Sequence, residues 1–228
     1  MSATENAGRT LYHCMSARSF RPLWALEELS LSYRLVVLPF PPRARSKEYL
    51  EINGLGTVPA YVEGATRMTE SAAICEYLAA RHGSGTLGVA PDEPDYGSYL
   101  NWLHFGEATL TFPQTLVLRY SRFEPDETRS PQIVADYTRW FLSRLRSVDR
   151  AVASRDFLCA GRFTAADISV GYALMLAGYI GLSEHFPEGV RRYWEGLQQR
   201  KSFSTALSAQ ETAALAQGIS PTPSPLTA

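Results

Sequence analysis

The sequence predicts an α/β domain followed by an all-helical domain. Two observations lead to this expectation. Between Arg9 and Gly83, short segments follow the order strand, helix, strand, helix, strand, strand, helix. Beyond the stretch GSGTLGVAPDEPD, strand-like alternation ends and long helical periodicities take over. The expected boundaries are 9–83 for the first domain and 92–212 for the second, with flexible tails at 1–8 and 213–228.

Each element follows from its residues. Arg9 to His13 (RTLYH) is a short strand candidate, and the turn-like CMSARS follows it. In SFRPLWALEEL, Phe20, Leu23, Trp24 and Leu26 fall on or near one helical face, with Glu27 and Glu28 outward. Ser19 has the chemistry of an N-cap, and Pro22 is tolerated only in the first turn. Tyr33 to Leu38 is a second strand. PFPPRARSKEYLEIN starts as a Pro-rich loop and becomes a short helix around Lys47 to Ile52. Val58 to Val62 and Ala65 to Met68 form a hairpin around Glu63-Gly64. Glu70 to Arg81 is a helix capped by Thr69, and Gly83 suits the left-handed position after it. A βαβ unit followed by a hairpin and a helix is the thioredoxin-like order.

In the second domain, Tyr96 to Tyr120 and Pro131 to Ser154 are long helical patterns. Thr164 to Tyr179 is apolar nearly all round and therefore central. Thr164 and Asp167 fit a capping box, with Phe163 and Ile168 as its hydrophobic staple, so Asp167 is a structural residue. Pro187 to Arg200 and Ser202 to Thr212 are two further helices.

Composition narrows the function. At 45% hydrophobic and 20% charged residues the chain can bury a core. A net charge of −1 without a basic block speaks against nucleic acid. No apolar run approaches the ~18 residues of a membrane span, and the polar start MSATENAGR lacks a signal-peptide core. Cys14, Cys75 and Cys159 are too scattered for a disulfide framework or a zinc cluster, and the His residues lack metal-ligand spacing. A reducing cytoplasm, no metal and no membrane partner are expected.

Four segments together resemble the cytosolic glutathione S-transferase superfamily, in a bacterial-looking form, over residues 9–210. They are LYHCMSARSFRPLWALEEL, NGLGTVPAY, TESAAICEYLA and FTAADISVGYAL. The resemblance implies glutathione as co-substrate, conjugation of its thiolate to an apolar electrophile, a detoxification role and a two-fold homodimer. The first long helix of the second domain and the third helix of the first would form the dimer interface. The alternatives are a glutathione-dependent isomerase of a maleyl compound and a non-catalytic binding protein of this fold.

The same resemblance assigns the site. Val58-Pro59 on its own fits an ordinary edge-strand proline. Within the family pattern it is a cis bond, a form costing only ~0.5–1 kcal/mol before Pro. Val58 would then pair with the cysteinyl part of glutathione as an added strand would. Glu70 and Ser71 could be plain helix-start chemistry. The resemblance adds the γ-glutamyl end: the helix N-terminus and Ser71 suit its carboxylate, and Glu70 suits its ammonium. Of Arg43, Arg45 and Lys47, at most one meets the glycyl carboxylate, and Lys47 is the choice. The thiol-facing group lies among Tyr12, Cys14, Ser16 and Ser19. Ser16 sits where zeta-like members place their serine, whereas theta-like spacing lands on Ala17. Ser16 is therefore the expected catalytic residue, with Arg18 as auxiliary cation and Tyr12 lining the pocket. Trp102 is expected in the helical core, and Phe105 and Phe112 in the electrophile pocket.

Overall fold

The computed structural model describes residues 8–227. Its contacts divide the chain into two compact units: one runs to Ser84 and resumes over Arg200–Thr227, and the other is Gly85–Gln199.

The first unit opens with β1 (Arg9–His13), α1 (Phe20–Glu28) and β2 (Arg34–Val37). The short α2 (Pro42–Arg45) and a 3-10 turn (Lys47–Glu51) follow. Then come β3 (Ala60–Glu63), β4 (Thr66–Met68) and α3 (Ser71–His82). The sheet order is β2-β1-β3-β4. β1 and β2 are parallel, with Tyr12 opposite Val36, because α1 provides the crossover. β1 and β3 are antiparallel, with Tyr12 opposite Ala60, and β3–β4 is the hairpin. This is the thioredoxin-like arrangement that the order of elements predicts. Glu63 ties the hairpin to α3 by accepting from Tyr77 (2.9 Å) and pairing with His82.

The second unit is helical. α4 (Tyr96–His104) continues through a wide π turn (Phe105–Thr111) into α5 (Phe112–Leu118) and a second π turn (Arg119–Phe123). The expected long helix is thus present but twice unwound. Pro113, just after the first wide turn, cannot donate to the ladder, and its ring crowds the carbonyl four residues back. α6 is Pro131–Ala151, α7 is Ala165–Tyr179 and α8 is Glu188–Gln198. Every residue of α7 from Ala165 to Ala177 is buried, as its all-round apolar surface requires. Gly106 lets the first wide turn lie against α7, since a Cβ there would sit 2.4 Å from Ser169 Oγ. Asp167 closes the capping box by accepting from Thr164 N at 2.8 Å. The stretch after Ser84 packs into the second unit: Leu87 and Val89 are buried, and Leu87 O accepts from Ala165 N.

α9 (Lys201–Ala216) brings the chain back to the first unit. Here the structure differs from the expected boundary at 212 and from the expected loose tail. Phe203 packs edge-on against Phe20 and Trp24, with ring centroids 5.7 and 4.9 Å away. This covers the outer side of α1, so Phe20 to Leu26 are all buried. Glu27 and Glu28 are half-buried rather than outward: Tyr33 donates to Glu27, and Arg200 and Ser202 donate to Glu28. Past the helix, Gln217 completes the open edge of β2, accepting from Val37 N (3.0 Å) and donating to Leu35 O (3.0 Å). Ser224 N donates to Met15 O at 2.7 Å, and Ser224 and Pro225 are buried. The Pro- and Ser-rich composition suggests disorder only while its docking surface is left out of account. Residues 1–7 and 228, the outer parts of the expected tails, lie outside the described residues.

Two helix ends also depart from expectation. Glu70, not Thr69, occupies the N-cap of α3, and no side chain caps it. Gly83 has φ −80° and is not left-handed. It is glycine for space, because a Cβ would meet Ala79 O at 2.4 Å.

Candidate functional site

The first unit brings two of the expected binding residues, Tyr12 and Val58, to one small core. Cys14, Leu38, Tyr49 and Ala60 are buried there, and Tyr12, Ala17 and Val58 pack against them. Val58 arrives from the 53–57 loop, whose shape is held by Asn53. Thr57 O accepts from Asn53 Nδ2 and from Tyr49 OH, both at 2.7 Å. Gly56 takes φ +60°, and a Cβ there would collide with Arg43 Cβ at 2.5 Å. The Val58–Pro59 bond is cis, as is Phe40–Pro41. Val58 lies outside the ladder, which starts at Ala60.

At the start of α3, Ser71 is buried while Glu70 is exposed in extended backbone. Arg21, itself fully buried in α1, donates to Ser71 Oγ at 3.1 Å. A hydroxyl that accepts from a guanidinium keeps its own proton to give, and the positive charge beside it adds to the helix N-terminal field. Lys47 is exposed at the head of the 3-10 turn that carries Tyr49 into the core.

The turn after β1 departs from expectation. Ser16 is fully buried, takes a left-handed φ of 54°, and its hydroxyl accepts from Gln210 Nε2 at 3.2 Å. The Ser16 N–H donates to Gln210 Oε1 at 2.9 Å. Ser19 does not cap α1 with its side chain. Its hydroxyl sits 2.8 Å from His13 Nδ1 and accepts from Cys14 N at 3.3 Å. His13 Nε2 lies 3.0 Å from Gln210 Oε1, so a neutral ring donating there and accepting from Ser19 satisfies every member. Burial lowers the His13 pKa to about 4, which agrees with that neutral ring. Burial also pushes the Cys14 thiol up to about 12, leaving it protonated and poorly nucleophilic near neutrality. Tyr12 and Arg18 are half-buried.

Phe105 and Phe112 belong to the second unit. Phe105 is half-buried and edge-on to Trp102 at 5.0 Å, and Phe112 is 54% exposed. Trp102, expected in the core, is half-buried. Among the described residues, no group of three or more His, Cys, Asp or Glu side chains could hold a metal ion. No helix among them is long and apolar enough to cross a membrane.

Three residues escaped the sequence reasoning. Arg21 carried one signal, a charge set among Phe20, Pro22, Leu23 and Trp24. His13 carried a weaker one, ending an apolar strand. Gln210 carried none, since its partners lie 194 and 197 residues away.

Comparison with known proteins agrees with this architecture. A profile of the glutathione S-transferase N-terminal domain matches residues 15–81. A glutathione S-transferase of Hypomyces subiculosus is 30% identical over 200 residues, covering 82% of this chain and 92% of the relative. Glutathione S-transferase 3 of Schizosaccharomyces pombe is 25% identical over 203 residues, covering 83% of each chain. Among solved structures, the Phanerochaete chrysosporium transferase URE2P6, in complex with oxidized glutathione, superposes with a TM-score of 0.80 at 23% identity. That match covers 91% of this chain and 98% of the other. A sphingomonad glutathione S-transferase complexed with glutathione superposes with a TM-score of 0.77 at 24% identity, covering 88% and 98%.

Proposed function

Because the chain belongs to the glutathione S-transferase family, we propose that it binds glutathione in its first unit and transfers the thiolate to an apolar electrophile. The observation that carries this reading is the meeting of Tyr12, Ala17 and Val58 on one core. The Val58 main chain, outside the ladder, would pair with the cysteinyl residue as an extra strand pairs with a sheet edge. Ser71 and the α3 N-terminus would take the γ-glutamyl carboxylate, and exposed Glu70 its ammonium. Lys47 would reach the glycyl carboxylate.

In the reaction the glutathione S–H loses its proton to solvent. The sulfur electron pair then forms a C–S bond; in a substitution a halide leaves the attacked carbon, and in an addition the π pair moves onto the conjugated system, which takes up a proton from solvent. Arg18 is the cation proposed beside the sulfur, since a positive charge there holds the thiol in its reactive ionised form. Ser16 is reassigned from touching the sulfur to shaping the turn, because it is fully buried and its hydroxyl is taken up by Gln210. The isomerase alternative rests on the partial similarity of SARSFR to the zeta pattern, and the burial of Ser16 within it weighs against that reading. Phe105 and Phe112 are proposed for the electrophile, and the protein as a cytoplasmic two-fold dimer serving detoxification.

Retention on immobilised glutathione, together with conjugation of chlorodinitrobenzene, tests the reading. The wild-type protein should show both, and Glu70→Ala should bind glutathione about 10–100-fold more weakly, as loss of a charged hydrogen bond predicts. A folded Glu70→Ala variant with wild-type retention removes Glu70 from the site. A wild-type protein that is neither retained nor active removes the whole reading.

A further inference from the structure

We infer that Gln210, on the last helix, is a positioning residue for the glutathione thiol, because its amide holds the turn that presents Ala17 and Arg18. This rests on the proposed glutathione site. Gln210 is 3% exposed and grips Ser16 twice, accepting from its N–H at 2.9 Å and donating to its hydroxyl at 3.2 Å. Two bonds to one residue, one on the main chain and one on the side chain, fix its backbone orientation. That orientation needs fixing. Ser16 has φ 54°, a conformation that an L-residue with a Cβ disfavours, so a neighbour must hold it.

The consequences run along the turn. Ala17 N donates to Cys14 O at 3.1 Å, and Ala17 O and Arg18 O accept from Phe20 N (2.8 Å) and Arg21 N (3.2 Å). Rotating Ser16 would therefore displace Ala17, which packs against the same buried core as Tyr12 and Val58, together with Arg18 next to it. Gln210 also reaches the far end of the turn, because its Oε1 meets His13, whose other ring nitrogen meets Ser19. One side chain thus anchors both ends of the segment that carries the sulfur-facing groups.

The test uses the full chain and reads the thiol itself. Thiolate absorbance of the glutathione complex is titrated against pH, alongside kcat and KM for chlorodinitrobenzene conjugation. Gln210→Ala should raise the apparent pKa of the bound thiol by about one unit and lower kcat about tenfold near neutrality, with the glutathione KM within about threefold. Gln210→Asn, one methylene short of Ser16, carries the same expectation and decides the matter if the alanine variant is not recovered folded. Gln210→Glu keeps an acceptor for Ser16 N and His13 and should recover kcat to within about threefold of wild type. Gln217→Ala is the control for helix docking alone. It loosens the β2 edge and should lower the melting temperature without moving the thiol titration. Folded Gln210→Ala or Gln210→Asn protein with the wild-type thiol titration overturns the inference and leaves the proposed function standing. A wild-type complex whose thiol titrates like free glutathione overturns both.

Discussion

Asp167 shows how much a single buried carboxylate can organise. It accepts from Leu158 N (3.0 Å), Thr164 N (2.8 Å), Thr164 Oγ (3.2 Å) and Tyr193 OH (2.8 Å). A carboxylate is all acceptor, and each of these partners points a donor at it. Alanine would leave Leu158 N, Thr164 N and Tyr193 OH without this acceptor in a buried place. Asp167→Ala should therefore destabilise the helical unit by about 2–3 kcal/mol. Urea denaturation followed by far-UV circular dichroism would measure this. Glutathione affinity of the folded fraction should be unchanged, because Asp167 belongs to the unit that carries none of the proposed glutathione ligands.

At the scale of elements, glycine spacing matters more than glycine flexibility. Gly106 has an ordinary place in a wide helical turn, yet a Cβ would meet Ser169 Oγ at 2.4 Å and Ser169 C at 2.5 Å. The second of these is main chain and cannot rotate away. Gly106→Ala should force the turn and α7 apart and cost about 1–3 kcal/mol, the usual range for overpacking. A lowered thermal midpoint would register the loss, and an unchanged midpoint would show that α7 yields freely. Elements of this kind also mark what a sequence reveals. β1, the β3–β4 hairpin, α3 and α7 were legible because their patterns are local: alternation, a turn pair, an apolar stripe and a capping box. The helical character of 96–120 was legible too, but not its two wide turns, the first of which depends on Pro113 and on the close approach of Gly106 to α7. α2 was hidden in a Pro-rich run, since Pro42 sits at a helix start, where proline is permitted. Ser19 was misjudged because a serine before a helix has one common use, and its partner His13 draws it to another. The binding half of the candidate site followed a recognisable pattern. The turn proposed to face the sulfur did not, since its geometry is set by a helix at the other end of the chain.

Across the whole molecule the two units should respond to acid in opposite directions. In the first, burial lowers His13 to about 4 from 6.5. The unfolded chain therefore takes up that proton first, and this contribution to stability is lost as pH falls from 6.5 toward 4. In the second, burial raises Asp167 to about 6 from 3.8, so the folded form holds the proton more tightly. Its contribution is full below pH 3.8 and declines as pH rises toward 6. Between these limits each group changes the folding constant of its unit by up to about tenfold per pH unit, with opposite sign. Urea unfolding at pH 7 and pH 5, with one probe in each unit, should show the first unit weakened by acid and the second strengthened in these terms. His13→Asn and Asp167→Asn should each flatten only the slope of its own unit.

The return of α9 to the first unit bears on how the protein is made in the cell. A ribosome releases β1 to α3 early, yet His13 waits 197 residues for Gln210. Until the helical unit has been translated, the α1 face that Phe203 covers and the β2 edge that Gln217 completes stand open. Nascent chains at that stage expose an apolar helix and an unpaired strand, the features that draw chaperones and promote misassembly. The turn that would handle the sulfur is then among the last parts to take shape, so a half-made chain carries the proposed glutathione ligands without the finished turn.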